Sequence, residues 1–270
     1  MKILVFWDVF WRIWRKALIK ELPKFKEKYS PDFIVVNVDN ISSWRWALDK
    51  HVLDLKEAWV DLMTTWDHVF DNFDKIKWLL DSENPILIRP INFYETDNHK
   101  INGKWYQIIE KDWKKLLVIH AMWQVFTKYR VDNPFLRIDD FLKSVNKDDY
   151  DWVIVDFHKE ATSEWYWLAK FLDWRVSLVF WTHTHVQTND EQILEKGTWL
   201  ISDVWMNWPV DSVIWAEYSS VEWVFLTWTY KWKIEQSLDK NYLISWIFVE
   251  LENDWKCNKN LNQWLMYLNQ

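Results

Sequence analysis

Two glycines in 270 residues leave a chain almost no means of turning sharply, and this chain has 26 tryptophans beside them. Globular chains carry glycine at about 7%, or roughly 19 in a chain of this length. Glycine supplies the positive-φ positions of tight turns and the close backbone approaches that other side chains block. The tryptophans stand where such positions are expected. Trp7, Trp11 and Trp14 follow the apolar run that ends at Phe6, Trp66 stands beside Asp67 and His68, and Trp181 precedes Thr182 and His183. We therefore read many of them as glycines of the working protein, arising where a stop codon reassigned to glycine is translated as tryptophan. A chain using tryptophan to stack on sugars or bases would show a repeat, or a face of period 2 or 3.6. The spacings follow turns instead. TGG codons at Trp7, Trp66 and Trp181 would refute the reading.

The length suits one large domain, expected to span residues 1–270. Charged residues at 27% and apolar ones at 50% fit a soluble globular chain. No apolar run approaches the length of a membrane span and no signal-peptide pattern opens the chain, so a cytoplasmic protein with no membrane partner is expected. Cys257 is the single cysteine, which excludes an internal disulfide and fits a reducing compartment. A net charge of −7 with a pI near 5.5 argues against a broad surface for long nucleic acid. A small anionic substrate is compatible with it if bound metal supplies positive charge.

Strand-like apolar runs recur at Ile3 to Phe6, Phe33 to Val36, Val60 to Met63, Ile86 to Ile88, Leu116 to Ile119, Val153 to Val155 and Val176 to Phe180. Helix-like stretches lie between several of them, such as Ile13 to Lys28 with Leu18, Leu22 and Phe25 near helical spacing. Alternation of β and α units predicts an α/β sheet protein with ligands at the carboxyl ends of its strands. Val221 to Trp228 and Leu243 to Leu251 read as antiparallel strands, and Asn92 to Lys104 as loop.

Polar residues follow strand after strand. Asp8 comes after the first, Asp39 and Asn40 after the second, Asp67 and His68 after the third, His158 after Val153 to Val155, and His183 and His185 after Val176 to Phe180. Imidazole, amide and carboxylate together suit divalent transition metals, and more than four candidate ligands suggest two ions. In an extended segment His183 and His185 point the same way. A lone Asp or His is usually a cap, a turn residue or a satisfied core group. Five clusters after five strands are hard to assign to capping.

With glycine written at the tryptophans, the chain reads GDVFGRIGRKAL from Trp7, TTGDHVFDN from Thr64, LDGRVSLVFGTHTHVQTNDEQI from Leu172 and ISDVGMNGPVDSVIG from Ile201. VDFHKEATSE from Val155 and THTHVQT from Thr182 need no such change. These segments resemble the calcineurin-like metallophosphoesterase superfamily, and within it the bacterial YmdB-like phosphodiesterases, from Lys2 to about Trp228.

The resemblance implies a four-layer α/β/β/α sandwich and hydrolysis of 2′,3′- or 3′,5′-cyclic nucleotides at a two-metal centre. By position it implies Asp8, Asn40, His158, His183 and His185 as ligands of two divalent ions, with iron, manganese or zinc all compatible. Asp39 stands where the family has a bridging Glu and Asp67 where it has Asn; both keep an oxygen ligand but alter reach and charge. His68 resembles the catalytic histidine, a general acid toward the departing ribose oxygen, with an outer-sphere residue that orients a ligand as the alternative. A phosphomonoesterase or nucleotidase, or a catalytically weakened regulatory scaffold, is the alternative. The resemblance also implies a homo-oligomer.

Of the tryptophans, Trp7, Trp11, Trp14, Trp66, Trp174, Trp181, Trp205, Trp208 and Trp215 coincide with family glycines, whereas Trp78, Trp165, Trp223 and Trp264 have no clear counterpart. Arg89-Pro90-Ile91-Asn92 matches an RPxN segment near the cleft, though a solvent-facing arginine fits equally. Thr162 reads as a helix N-cap followed by the first-turn acid Glu164, and Trp174 as the glycine that ends that helix.

Overall fold

The structure is a computed structural model that describes residues 1–42, 47–158, 160–204, 206–229, 233–239, 241–251 and 257–268, without the side chains of Asp67, Trp208 and 257–268. Trp205 and the side chains of Trp208 and Trp264 thus lie outside the described residues. Among the described residues, thirteen strands follow in chain order. They are β1 (Lys2–Phe6), β2 (Phe33–Asn37), β3 (Leu62–Thr64), β4 (Leu87–Ile88), β5 (Tyr106–Lys111), β6 (Lys114–Met122) and β7 (Trp152–His158), then β8 (Leu178–Thr182), β9 (Gln192–Ile193), β10 (Trp199–Ile201), β11 (Trp208–Pro209), β12 (Tyr242–Leu251) and β13 (Cys257–Leu268). The α-helices are α1 (Trp11–Tyr29), α2 (Asp49–Glu57), α3 (Phe73–Leu80), α4 (Pro134–Ser144), α5 (Thr162–Leu172) and α6 (Tyr218–Thr227).

Two sheets form. One has the order β11-β12-β1-β2-β3-β4, with β13 on β12, and the other β5-β6-β7-β8-β10-β9. Alternation along each strand builds three cores from them. In β1, Leu4 and Phe6 meet Leu18, Leu22 and Phe25 of α1, while Ile3 and Val5 face the second sheet at Leu116, Val118, Ile154 and Leu178. On the outer side of that second sheet, Leu117, Val153 and Val155 meet Ile138 of α4 and Leu168 and Leu172 of α5. Helices, sheet, sheet and helices are thus the four layers of the α/β/β/α sandwich. Each middle strand is apolar on both faces because each face has its own helix or sheet to bury against. Truncation of Leu18 or Leu117, both fully buried, would cost about 2–5 kcal/mol.

The helix α1 shows how the local pattern works. Trp14, Leu18, Leu22 and Phe25 recur at spacings of four and three and are buried together. It ends at Ser30, whose φ of 46° is left-handed and whose N–H donates to the Lys26 carbonyl at 2.9 Å, with Lys26 and Lys28 in the last turn.

Three expectations need correction. Val221 to Trp228 is not a strand but most of α6, since a short apolar run has no period that separates the two states. Arg89 does not face solvent: it is fully buried, pairs with Glu95 at 2.6 Å and donates to the carbonyls of Pro90, Ile101 and Asn102. Thr162 is the first helical residue rather than the cap; Ala161 holds the cap position without a side-chain bond. The strands β1, β2 and β3 run parallel, as do β6, β7 and β8, so their carboxyl ends emerge along shared edges.

Candidate metal centre

The polar residues that follow those strands gather where the two sheets' edges meet, and they do so as two groups. In the first, Asn40 Nδ2 donates to both carboxylate oxygens of Asp8 at 3.0 and 3.1 Å, and His185 Nε2 lies 3.4 Å from Asp8 Oδ2. In the second, the rings of His158 and His183 are 4.9 Å apart at the ends of β7 and β8. Asp39 reaches the same edge, where its Oδ1 accepts the backbone N–H of Trp66 at 2.6 Å. The backbone of Asp67 begins a 3₁₀ turn, Asp67–Phe70, that carries His68, but the Asp67 side chain lies outside the described residues.

The scaffold holds these groups in unusual backbone. Asp8, His183 and His185 have φ values of 32°, 150° and 60°. Each such position costs on the order of 1–3 kcal/mol and persists only where the surroundings impose it. Asp203 does so for the histidine loop, its Oδ2 accepting both the N–H and the hydroxyl of Thr184 at 2.8 Å. Asn37 does so for the β2 turn, its Oδ1 accepting the N–H of Asp39 and its Nδ2 donating to Thr64 Oγ1. Sequence reading passes over Asp203 and Asn37 because each looks like an ordinary turn residue until the fold closes. It passes over Asp71 too, although a place three residues after His68 is the signal for a one-turn contact; His68 Nδ1 lies 2.9 Å from Asp71 Oδ2.

His158 is the most telling residue. Its Nδ1 shares a hydrogen bond with Thr182 Oγ1 at 3.1 Å, while Nε2 is buried with no partner among the described residues. Burial, reinforced by His183, His120, His185 and His68, holds its pKa well below the usual histidine range. A neutral imidazole with Nδ1 held and Nε2 unpaired presents a ligand lone pair. His183 Nε2 instead contacts Glu160 Oε2.

Indoles stand among these donors. The Trp66 ring centroid is 3.4 Å from that of His158 and 5.2 Å from that of His183. Trp123 packs at 4.7 Å on His158 and 4.9 Å on His183, and Trp7 stacks on His158 at 6.0 Å. The donor types fit divalent ions, but the space does not. Among the described residues no three of the His, Cys, Asp and Glu side chains converge as a metal-binding group.

The YmdB-like protein family matches residues 4–263. The chain belongs to that family. The 2′,3′-cyclic-nucleotide 2′-phosphodiesterase of Bacillus subtilis is 35% identical to it over 214 residues, 79% of this chain and 78% of that protein. A crystal structure described as a novel phosphatase from Mycoplasma pneumoniae superposes with a TM-score of 0.85 at 27% identity, covering 99% of this chain and 93% of that one. A hypothetical protein of Thermus thermophilus gives 0.87 at 28% identity over 99% of both chains. Membership makes this YmdB-like chain a metallophosphoesterase by enzyme class, and divalent metal ions go with that fold. Among the described residues no helix is long and apolar enough to cross a membrane.

Proposed function

We propose that the chain is a phosphodiesterase for 2′,3′-cyclic nucleotides, working in a form whose centre is not filled by indole. One observation carries the reading: the buried Nε2 of His158, unpaired, among donors that parallel strands deliver to one edge. The substrate class follows the Bacillus subtilis relative. Asp8, Asp39, Asn40, Asp67, His158, His183 and His185 are the residues assigned to hold two divalent ions, iron or manganese by preference. Bound there, such ions would supply an activated nucleophilic water and would neutralise charge on the phosphoryl group. With tryptophan at 66 and 123 they do not fit.

The chain's own contribution is proton delivery. Asp71 accepts from Nδ1–H of His68, which fixes the ring and leaves Nε2–H to protonate the departing ribose oxygen. A second reading, a regulatory scaffold with weakened chemistry, draws on the filled centre.

The full chain with Trp7→Gly, Trp66→Gly and Trp123→Gly, loaded with Mn²⁺ or Fe²⁺, separates these. Cleavage of 2′,3′-cyclic nucleotides that disappears in His158→Ala and His68→Ala variants supports the proposal. Preference for a monoester would make it a nucleotidase instead, and metal uptake without turnover would make it the scaffold.

A further inference from the structure

Five of the described residues with left-handed backbone are tryptophans: Trp11 at φ 57°, Trp59 at 71°, Trp113 at 68°, Trp174 at 73° and Trp228 at 57°. A bulky side chain at positive φ is a genuine outlier. The two residues that are glycine, Gly103 and Gly197, also have positive φ, 90° and 108°. At Gly103 a β-carbon would come within 2.9 Å of Leu80 Cβ.

Four of the tryptophans sit in turns whose hydrogen bonds define them. After α2, the N–H of Trp59 donates to the Lys56 carbonyl at 3.2 Å and that of Val60 to Leu55 at 3.1 Å. That is the paired bonding of a Schellman motif, with Trp59 at the position that favours glycine. Between β5 and β6, Lys111 pairs with Lys114 and the two-residue loop Asp112-Trp113 has φ of 47° and 68°. Two positive φ values mark a type I′ turn, for which Asp-Gly is a preferred sequence. After α5, Asp173 has φ −54° and ψ 128°, Trp174 has φ 73°, and the Arg175 N–H donates to the Leu172 carbonyl at 2.8 Å. This is a type II turn with its third residue at the glycine position. Trp228 ends α6 with φ 57° and ψ 23°, donating to the Val224 carbonyl at 2.8 Å. That is a left-handed cap.

The side chains offer little in return for the backbone. Trp113 is 93% exposed and Trp228 86%. Trp59 and Trp174 are half exposed, with Lys26 and Lys147 across their rings. The four stand in four different turns of the chain. Trp59, Trp113 and Trp228 contribute nothing to the motifs behind the family resemblance, so the backbone is an independent witness.

We infer that the protein made in its own cells carries glycine at positions 11, 59, 113, 174 and 228, because the codons there are read as glycine. The same decoding at 66 and 123 removes the indoles that lie on His158.

Peptide mass spectrometry on the protein isolated from cells that carry the gene reads these positions directly. Glycine at 59, 113, 174 and 228 is the expected result; tryptophan there, or TGG codons in the gene, overturns the inference. A second measurement depends on neither metal nor activity. The full chain carrying Trp59→Gly, Trp113→Gly, Trp174→Gly and Trp228→Gly should melt at a higher temperature than the all-tryptophan chain. It should also exceed a chain with alanine at the same four positions, since alanine keeps the β-carbon. Equal melting of the glycine and alanine chains would show that φ is not the reason and would overturn the backbone basis of the inference. Loss of phosphodiesterase activity alone leaves these readouts untouched, so failure of the functional proposal and failure of this one are distinguishable.

Discussion

Tryptophan at the metal edge and tryptophan in the turns fail the chain in opposite ways. In the turns the fault is backbone strain on exposed side chains, of which Trp113 and Trp228 are the plainest cases. At the edge, Trp66 has φ −134°, ordinary for an extended residue, and Trp7 and Trp123 are buried. Their indoles fill the place where ligands have to converge, with the Nε1–H groups of Trp66 and Trp123 buried and without a hydrogen-bond partner among the described residues. Turn tryptophans therefore lower stability without touching chemistry, whereas edge tryptophans add buried area and block chemistry. The lesson is that one misplaced residue type has no single effect; burial and φ decide which effect it has.

The largest effect expected lies in the chemistry. With the edge indoles replaced by glycine, His68→Ala should lower kcat by about 10²–10⁴ while bound metal, measured by elemental analysis, stays unchanged. Equal loss of metal would make His68 a ligand or a support rather than the proton donor. Asp71→Asn should give a smaller loss with the same metal content, because it disturbs only the orientation of the ring.

Next comes the edge itself. Trp66→Gly with Trp123→Gly, in an otherwise unchanged chain, should raise Mn²⁺ binding from background to a measurable stoichiometry. The same change should lower stability, by roughly 3–5 kcal/mol for each large aromatic removed from a packed site. Metal binding that is already full with both indoles present would break the comparison. The turn quartet should move the other way, gaining on the order of 1–3 kcal/mol per site in urea unfolding with no change in metal uptake.

Much of this is legible in the sequence alone, for physical reasons that differ by region. The strands β1, β2, β7 and β8 announce themselves because both faces are buried and their apolar runs are continuous. The placement of Asp8, Asn40, His158, His183 and His185 at the strand ends is legible because each ends or follows such a run. The helix α6 is not, since Val221 to Trp228 is apolar without a period. The strand β5 escapes notice because its residues are only half buried and carry Gln107, Glu110 and Lys111. Thr182 and Asp203 act on neighbours that only folding brings near, whereas Asp71 stands one turn after His68. Trp174 is legible as a helix-ending glycine, but Trp59 and Trp113 need the φ values.

The smallest prediction tests whether acid acts on the fold away from the edge. His51 lies on α2, the helix that ends at Trp59, and its Nδ1 lies 2.7 Å from Ser42 Oγ. Burial lowers its pKa from 6.5 to about 4, with Arg15 and Lys50 adding to the shift and Asp54 and Asp49 opposing it. The folded chain then binds fewer protons than the unfolded chain between those values. Stability from this group is therefore complete above about pH 6.5 and declines as the pH falls toward about 4. His51→Asn keeps a hydrogen-bonding group near Ser42 but does not titrate in that window. Its unfolding free energy should fall less than that of the parent chain between about pH 7 and about 4.5, and parallel curves would assign the acid sensitivity to other groups. Because α2 ends in the Trp59 turn, repeating the comparison in the Trp59→Gly chain adds a check. A gain at the turn that is the same at both pH values would show that strain and titration act on one helix independently, as expected of a purely conformational defect.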